Sequence, residues 1–287
     1  MVDNSLLVHG RAETEALVGA PAQWEPIAGG AGVEIWRVAG PLGVRMFKLG
    51  MGAGAARVAR EAAVRSLLEG LVPAGSRLPA QGWHGQGGDS AWLTVPWLNG
   101  PTMWQVFAPV RRRGEGTDEA LAAAVLTCIS VAAVHQANWV PAPRHPRAGR
   151  GPDGRLGVGL VPGRGSAPVD TTGSPVHLSS PESLARWSRR PVCPTVADEV
   201  WTPAASIWWA ASGQWPRDYR ALAIDPSVFT ESELAKVLVR YGALLALLAL
   251  LAHWPELEAV LRYVLEAPAE SRPSALDLAQ HLCALRV

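Results

Sequence analysis

The chain changes character once, at Asn99-Gly100-Pro101. Before that point apolar residues come in short runs separated by glycine turns; after it they recur at helical spacing over longer stretches. Residues 33–38 and 44–49 flank the turn Gly40-Pro41-Leu42-Gly43, and residues 81–84 and 91–96 flank Gly85-Gln-Gly-Gly-Asp89. Both patterns read as antiparallel strands joined by tight connections. Between them, residues 58–71 carry apolar side chains at helical spacing, with Arg60, Glu61, Arg65 and Glu69 interspersed. A short helical pattern occupies the first ~24 residues. Strands grouped at one end and helices at the other define an α+β chain rather than an alternating α/β one. The expected units are 1–98, a small antiparallel β lobe plus one helix, and 99–287, larger and mainly helical.

In the second unit Asp118 is placed to cap a long apolar helix running to about residue 134. Residues 139–196 are rich in Pro, Gly and Ser with little periodicity, and read as long loops with a short hairpin at Asp153-Gly154. Helices resume over 199–212 and again near Thr230, where Thr-Glu-Ser-Glu233 forms a capping box. Two more follow, at Pro255 and after Pro273-Ser274.

With 287 residues, 48% hydrophobic and 18% charged, the chain has the composition of a globular protein and length enough for a substantial core. A net charge of +1 argues against non-specific nucleic-acid binding as its main activity. Arg111-Arg112-Arg113, just before Gly114, reads as a solvated loop. Three scattered cysteines, Cys128, Cys193 and Cys283, point to a reducing compartment without disulfides or a zinc site. The start, Met-Val-Asp-Asn-Ser, lacks a signal-peptide pattern. The longest apolar run, residues 242–252, falls short of the ~20 residues a bilayer requires and reads as a buried helix. The expectation is a soluble, cytoplasmic protein without a membrane span. Tryptophan is abundant, 13 against three Tyr and three Phe. Trp208, Trp209 and Trp215 read as core; Trp83, Trp92, Trp97 and Trp104 either pack as core or line and plug a cleft.

Glycine leaves the backbone N–H accessible, so Gly29, Gly30 and Gly32 are candidates for cradling phosphates. Taken alone, an ordinary hairpin turn is the simpler account of them. The order that follows adds weight: a strand carrying Val44-Arg45-Met46-Phe47-Lys48, then a helix carrying Glu61. Here the sequence resembles the amino-terminal lobe of protein kinases, whose third-strand lysine meets phosphates and a helical glutamate. The resemblance gives those roles to Lys48 and Glu61. Only two of the 26 basic residues are lysine, so the one at position 48 stands out. Leu93-Thr94-Val95-Pro96-Trp97-Leu98-Asn99-Gly100 resembles the hinge between kinase lobes.

Three later segments extend the resemblance over roughly residues 24 to 285. Ser180-Pro181-Glu182 is similar to the Ala-Pro-Glu end of a kinase activation segment. The stretch from Glu199 to Pro216, with Trp201, Trp208 and Trp209, resembles the buried central helix of the large lobe. Ser271-Arg272-Pro273 resembles the final kinase subdomain. Together they imply a bilobal fold like that of bacterial Ser/Thr protein kinases, and a structural ion pair Glu182–Arg272. An isolated buried carboxylate would cost several kcal/mol.

The chemistry of the family is not carried over. No aspartate or glutamate occurs between Glu119 and Asp153. By resemblance Pro143 stands where the catalytic aspartate belongs and Ala148 where the metal-binding asparagine belongs. Leu160-Val161-Pro162-Gly163 replaces Asp-Phe-Gly, so Val161 lies at the second lost aspartate. Without these oxygens no octahedral Mg²⁺ site is expected. Asp153 is accounted for by turn chemistry, and Asp170 and His145 remain as candidates for an altered chemistry. The expectation is a pseudokinase: no catalytic residues, no metal, and a protein-binding or allosteric regulatory role with a protein partner. Nucleotide binding would be weak or absent, ATP being held, if at all, without conventional Mg²⁺ coordination. The alternative is an atypical nucleotide-dependent transferase, or a peptide-modifying accessory subunit in a bacterial biosynthetic pathway.

Overall fold

Five short strands pair antiparallel in the spatial order β1-β2-β3-β5-β4: β1 (Gln23–Gly30), β2 (Val33–Gly40), β3 (Gly43–Met51), β4 (Trp83–Gly87) and β5 (Ser90–Pro96). The computed structural model describes residues 4–30, 32–68, 83–97, 99–136, 139–142, 159–162, 176–186, 195–220, 223–240 and 254–285. Side chains alternate across the sheet, as the two-residue period of a strand requires. Register places Lys48 opposite Leu93, and Phe47 opposite Thr94. Met46, Ala91, Leu93 and Val95 therefore share one face, packed on Ala55, Val58 and Ala62 of helix α2 (Ala53–Leu68). Val38, Phe47, Leu49 and Trp92 share the other, packed with Val18 and Leu7 of helix α1 (Asn4–Val18).

The small unit thus has a helix on each face of the sheet, α1 answering to the short helical pattern in the first ~24 residues and α2 to the helix expected at 58–71. A close approach fixes the seating of α1. A Cβ on Gly10 would meet three atoms of the Trp92 indole at 2.7 to 2.9 Å, and one on Gly85 would meet Trp92 Nε1 at 2.5 Å. The indole is held between two glycines. Trp24 Nε1 donates to Glu15 at 3.0 Å, and Arg11 lies 5.1 Å from the Trp24 ring centre, adding a polar seam along the same helix.

The chain divides into two compact units at Gly100/Pro101, two residues beyond the expected 98/99 boundary. The second unit opens with two short helices that periodicity does not reveal, α3 (Met103–Val106) and α4 (Ala108–Arg113). Thr102 and Gln105 form a reciprocal capping box at α3. Helices α5 (Thr117–Gln136), α6 (Pro181–Arg186), α7 (Val196–Ser212), α8 (Glu231–Arg240), α9 (Pro255–Glu266) and α10 (Ala275–Cys283) follow. Their common core includes Phe107, Leu121, Trp201, Ile207, Trp208, Leu257, Leu261, Leu278 and Leu282. The capping box expected at Thr230 is present: its N–H donates to Glu233 Oε2 at 2.8 Å, and the Glu233 N–H donates to the Thr230 hydroxyl at 3.3 Å.

Within 139–196 a two-stranded ladder joins β6 (Trp139–Ala142) to β7 (Gly159–Pro162). The Asp153-Gly154 turn and the apolar run 242–252 lie outside the described residues. Among the described residues α5 is the one helix long and apolar enough to cross a bilayer. Its Leu121, Ala124, Val125, Cys128 and Ala132 belong to the core shared with α7 and α10, the place of a central helix in a folded unit. Burial pushes the Cys128 thiol up to about 12, so it packs as a small apolar group.

Candidate functional site

Lys48 enters the α2 face of the sheet between Phe47 and Leu49, which point the opposite way. Its ammonium donates to both oxygens of Glu61, at 2.7 and 2.9 Å, and both residues are buried, 5% and 2% exposed. One turn further along α2, Arg65 donates from Nη2 to Glu61 Oε1 at 3.1 Å. The i,i+4 spacing that places it there is visible in the sequence. Glu61 is therefore gripped from the strand and from its own helix. Charged hydrogen bonds of this kind fix geometry strongly in a buried setting.

Of the three candidate glycines, Gly32 is committed to backbone packing. It adopts φ +76°, a Cβ there would lie 2.6 Å from the Met51 carbonyl, and the Met51 N–H donates to Gly32 O at 2.7 Å. A side chain on Gly54, at the start of α2, would overlap the Gly32 carbonyl. The β1–β2 connection is short, with Gly30 paired to Val33, and is pinned to the β3–α2 junction. Gly30 borders open space, and Gly29 meets only Val33 O at 3.8 Å.

Trp83 and Trp92 belong to the α1 side of the sheet, opposite Lys48, and so do not plug its face. Trp104 stacks on Trp209 at 4.3 Å within the large unit, and Trp97 lies under Arg37 at 5.7 Å. The solvated-loop reading of Arg111 is also corrected. Its guanidinium donates to the carbonyls of Ala210 and, at 2.7 Å, Trp104, and sits 3.5 Å from the Trp104 ring centre.

In the large unit Arg272 Nη2 donates to Glu182 Oε1 at 2.8 Å. Two more bonds from the same guanidinium reach Ala267 O at 3.1 Å and Ala197 O at 3.3 Å, tying the approach to α10 onto α6, α7 and the end of α9. A second polar cluster adjoins it, which sequence reasoning did not find. Asp198 accepts from Ser180, Arg186 and Thr195, and Arg217 donates to the Ser179 carbonyl. Burial lowers Arg217 to about 10, against the opposing pull of Tyr219 and Glu182. Burial, reinforced by neighbouring Asp198, raises the Glu199 carboxyl well above the usual carboxylate range, and its Oε1 has no partner among the described residues. His135, at the end of α5, is depressed to about 4 by burial.

Pro143, Ala148, His145, Asp153 and Asp170 lie outside the described residues. Val161 pairs with Val140 in the β6–β7 ladder. Among the described residues no group of three His, Cys, Asp or Glu gathers as a metal site.

A five-stranded antiparallel sheet followed by a mainly helical unit is an α+β architecture, and comparison with solved structures shows it to be a protein kinase-like fold. PK-1, the protein kinase of Cydia pomonella granulovirus, has a solved structure that aligns with 97% of this chain and 99% of its own, at 14% identity and a TM-score of 0.59. That similarity is one of fold. No family model matches the chain, and no curated protein sequence does.

Proposed function

We propose that this chain is a pseudokinase: a kinase-like fold that has given up phosphoryl transfer and serves as a binding or regulatory module for a protein partner. The observation that carries the reading is a contrast. The ion pairs that hold the two units in shape, Lys48–Glu61 and Glu182–Arg272, are built. The sequence from 120 to 152, where the family's proton acceptor belongs, contains no carboxylate. A Lys48 ammonium chelated by a buried Glu61 that Arg65 also grips supports a structural role for the pair. The scattered cysteines and arginine-rich, lysine-poor composition support a bacterial, cytoplasmic setting. The retained Lys48–Glu61 geometry is also what favours the second reading, an atypical nucleotide-dependent transferase or accessory subunit of a biosynthetic pathway.

A thermal-shift titration with ATP separates the two. A ligand confined to the native state at a hundredfold excess over its Kd adds about 2.7 kcal/mol. At about 2–4 °C per kcal/mol for a chain of this size, that raises Tm by about 5–10 °C. The module reading predicts no metal-dependent rise at millimolar ATP, with Mg²⁺ or Mn²⁺. A rise of that size requiring the metal would favour the transferase.

A further inference from the structure

Six side chains of the large unit form one continuous stack. The Arg111 guanidinium lies 3.5 Å from the Trp104 ring centre. Trp104 stacks on Trp209 at 4.3 Å, and Trp209 on Trp215 at 5.3 Å with planes 8° apart. Trp215 stacks on His177 at 4.2 Å and 14°. His177 meets Tyr219 edge-on at 5.5 Å, with Nδ1 hydrogen-bonded to the Tyr219 hydroxyl at 2.7 Å. Trp209 and Trp215 each stack on two neighbouring rings, while Trp104 stays 37% exposed. What it joins is three stretches of chain: 104–111, 209–219 and the short 3₁₀ turn Val176–Leu178.

That turn is held residue by residue. Val176 and Leu178 are buried in two different apolar clusters. His177 links Trp215 to Tyr219 in the stack, the Ser179 carbonyl accepts from buried Arg217, and Ser180 donates to Asp198. Glu182 then meets Arg272. Every one of these contacts is between groups of the chain itself. We infer that the Arg111–Trp104–Trp209–Trp215–His177–Tyr219 stack is a built-in clamp that fixes residues 176–182 in a single conformation without ligand or modification. It holds whether the protein is a module or an enzyme, so its failure leaves the proposed function standing and the reverse is equally true.

Amide hydrogen exchange on the full chain, read over 176–182, is the test. The wild type should protect these amides as strongly as those of α7, with no change on adding ATP and Mg²⁺ or after phosphatase treatment. An aromatic pair is worth about 0.5–1.5 kcal/mol beyond its buried area, so His177→Ala should lower protection there by about two- to tenfold. Amides of α5 and α10 should not move. Trp215→Ala should do the same, and His177→Phe, which keeps a ring on Trp215, should restore most of the protection. If Trp215→Ala fails to fold, the pair of His177 variants decides alone. Three results would each overturn the clamp: unprotected wild-type amides at 176–180, protection appearing only with ATP and Mg²⁺ or phosphorylation, or His177→Ala exchanging like wild type.

Discussion

Gly10→Val should strongly destabilise the small unit, because α1 cannot seat on the sheet with a side chain at that position. A Cβ there overlaps Trp92 at 2.7 to 2.9 Å, and the indole has no retreat, since Gly85 backs it as closely from β4. Overpacking of this kind costs about 1–3 kcal/mol where neighbours yield. If α1 lifts instead, the face built from Val38, Phe47, Leu49 and Trp92 loses its cover. Each such large side chain is worth about 1.5–3 kcal/mol when buried. The informative variant is Gly10→Ala. On an exposed helix that change would stabilise by about 1 kcal/mol; here it should destabilise. Urea denaturation followed by tryptophan fluorescence checks the sign, and a stabilised Gly10→Ala would show that α1 does not press on Trp92.

Arg272→Met should cost about 3–5 kcal/mol, the usual consequence of removing one partner of a buried ion pair. Arg272 is buried, and its loss strands more than Glu182, because the carbonyls of Ala267 and Ala197 lose their donor as well. Glu182→Gln keeps an oxygen acceptor for Arg272 and removes a carboxylate whose Oε2 is buried without a hydrogen-bond partner, so it should cost less than Arg272→Met. Arg272→Lys should recover only part of the loss, since one ammonium cannot reproduce a fork directed at three acceptors. Equilibrium denaturation of the three variants orders them, and an Arg272→Met cost below about 1 kcal/mol would be that of a surface pair.

Which parts of this were legible in the sequence follows from how local each signal is. The family resemblance paired Lys48 with Glu61, on a strand and a helix whose order and 13-residue separation the sequence itself shows. Glu182 and Arg272 are 90 residues apart, and only the family resemblance connected them. Strand β1 was missed: Pro26 cannot donate to a ladder, and the register shifts between Pro26 and Ala28, so the alternation that announces a strand is broken. The seating of α1 was hidden because Gly10 reads as a weak point in a helix until Trp92 is placed against it. Arg111 read as solvated because it begins a run of three arginines, yet stacking and carbonyl acceptors occupy it. The ring stack joins residues from 104 to 219, and no periodicity encodes a face-to-face contact between distant rings. The tryptophan count was a true signal whose geometry only the fold supplies.

Phosphoryl transfer from ATP, assayed with Mg²⁺ and with Mn²⁺ on the purified full chain, tests the central proposal most directly. The account predicts no autophosphorylation and no phosphorylation of a general protein substrate above the level of a folded Lys48→Ala variant. Metal-dependent transfer by the wild type that disappears in Lys48→Ala would contradict it.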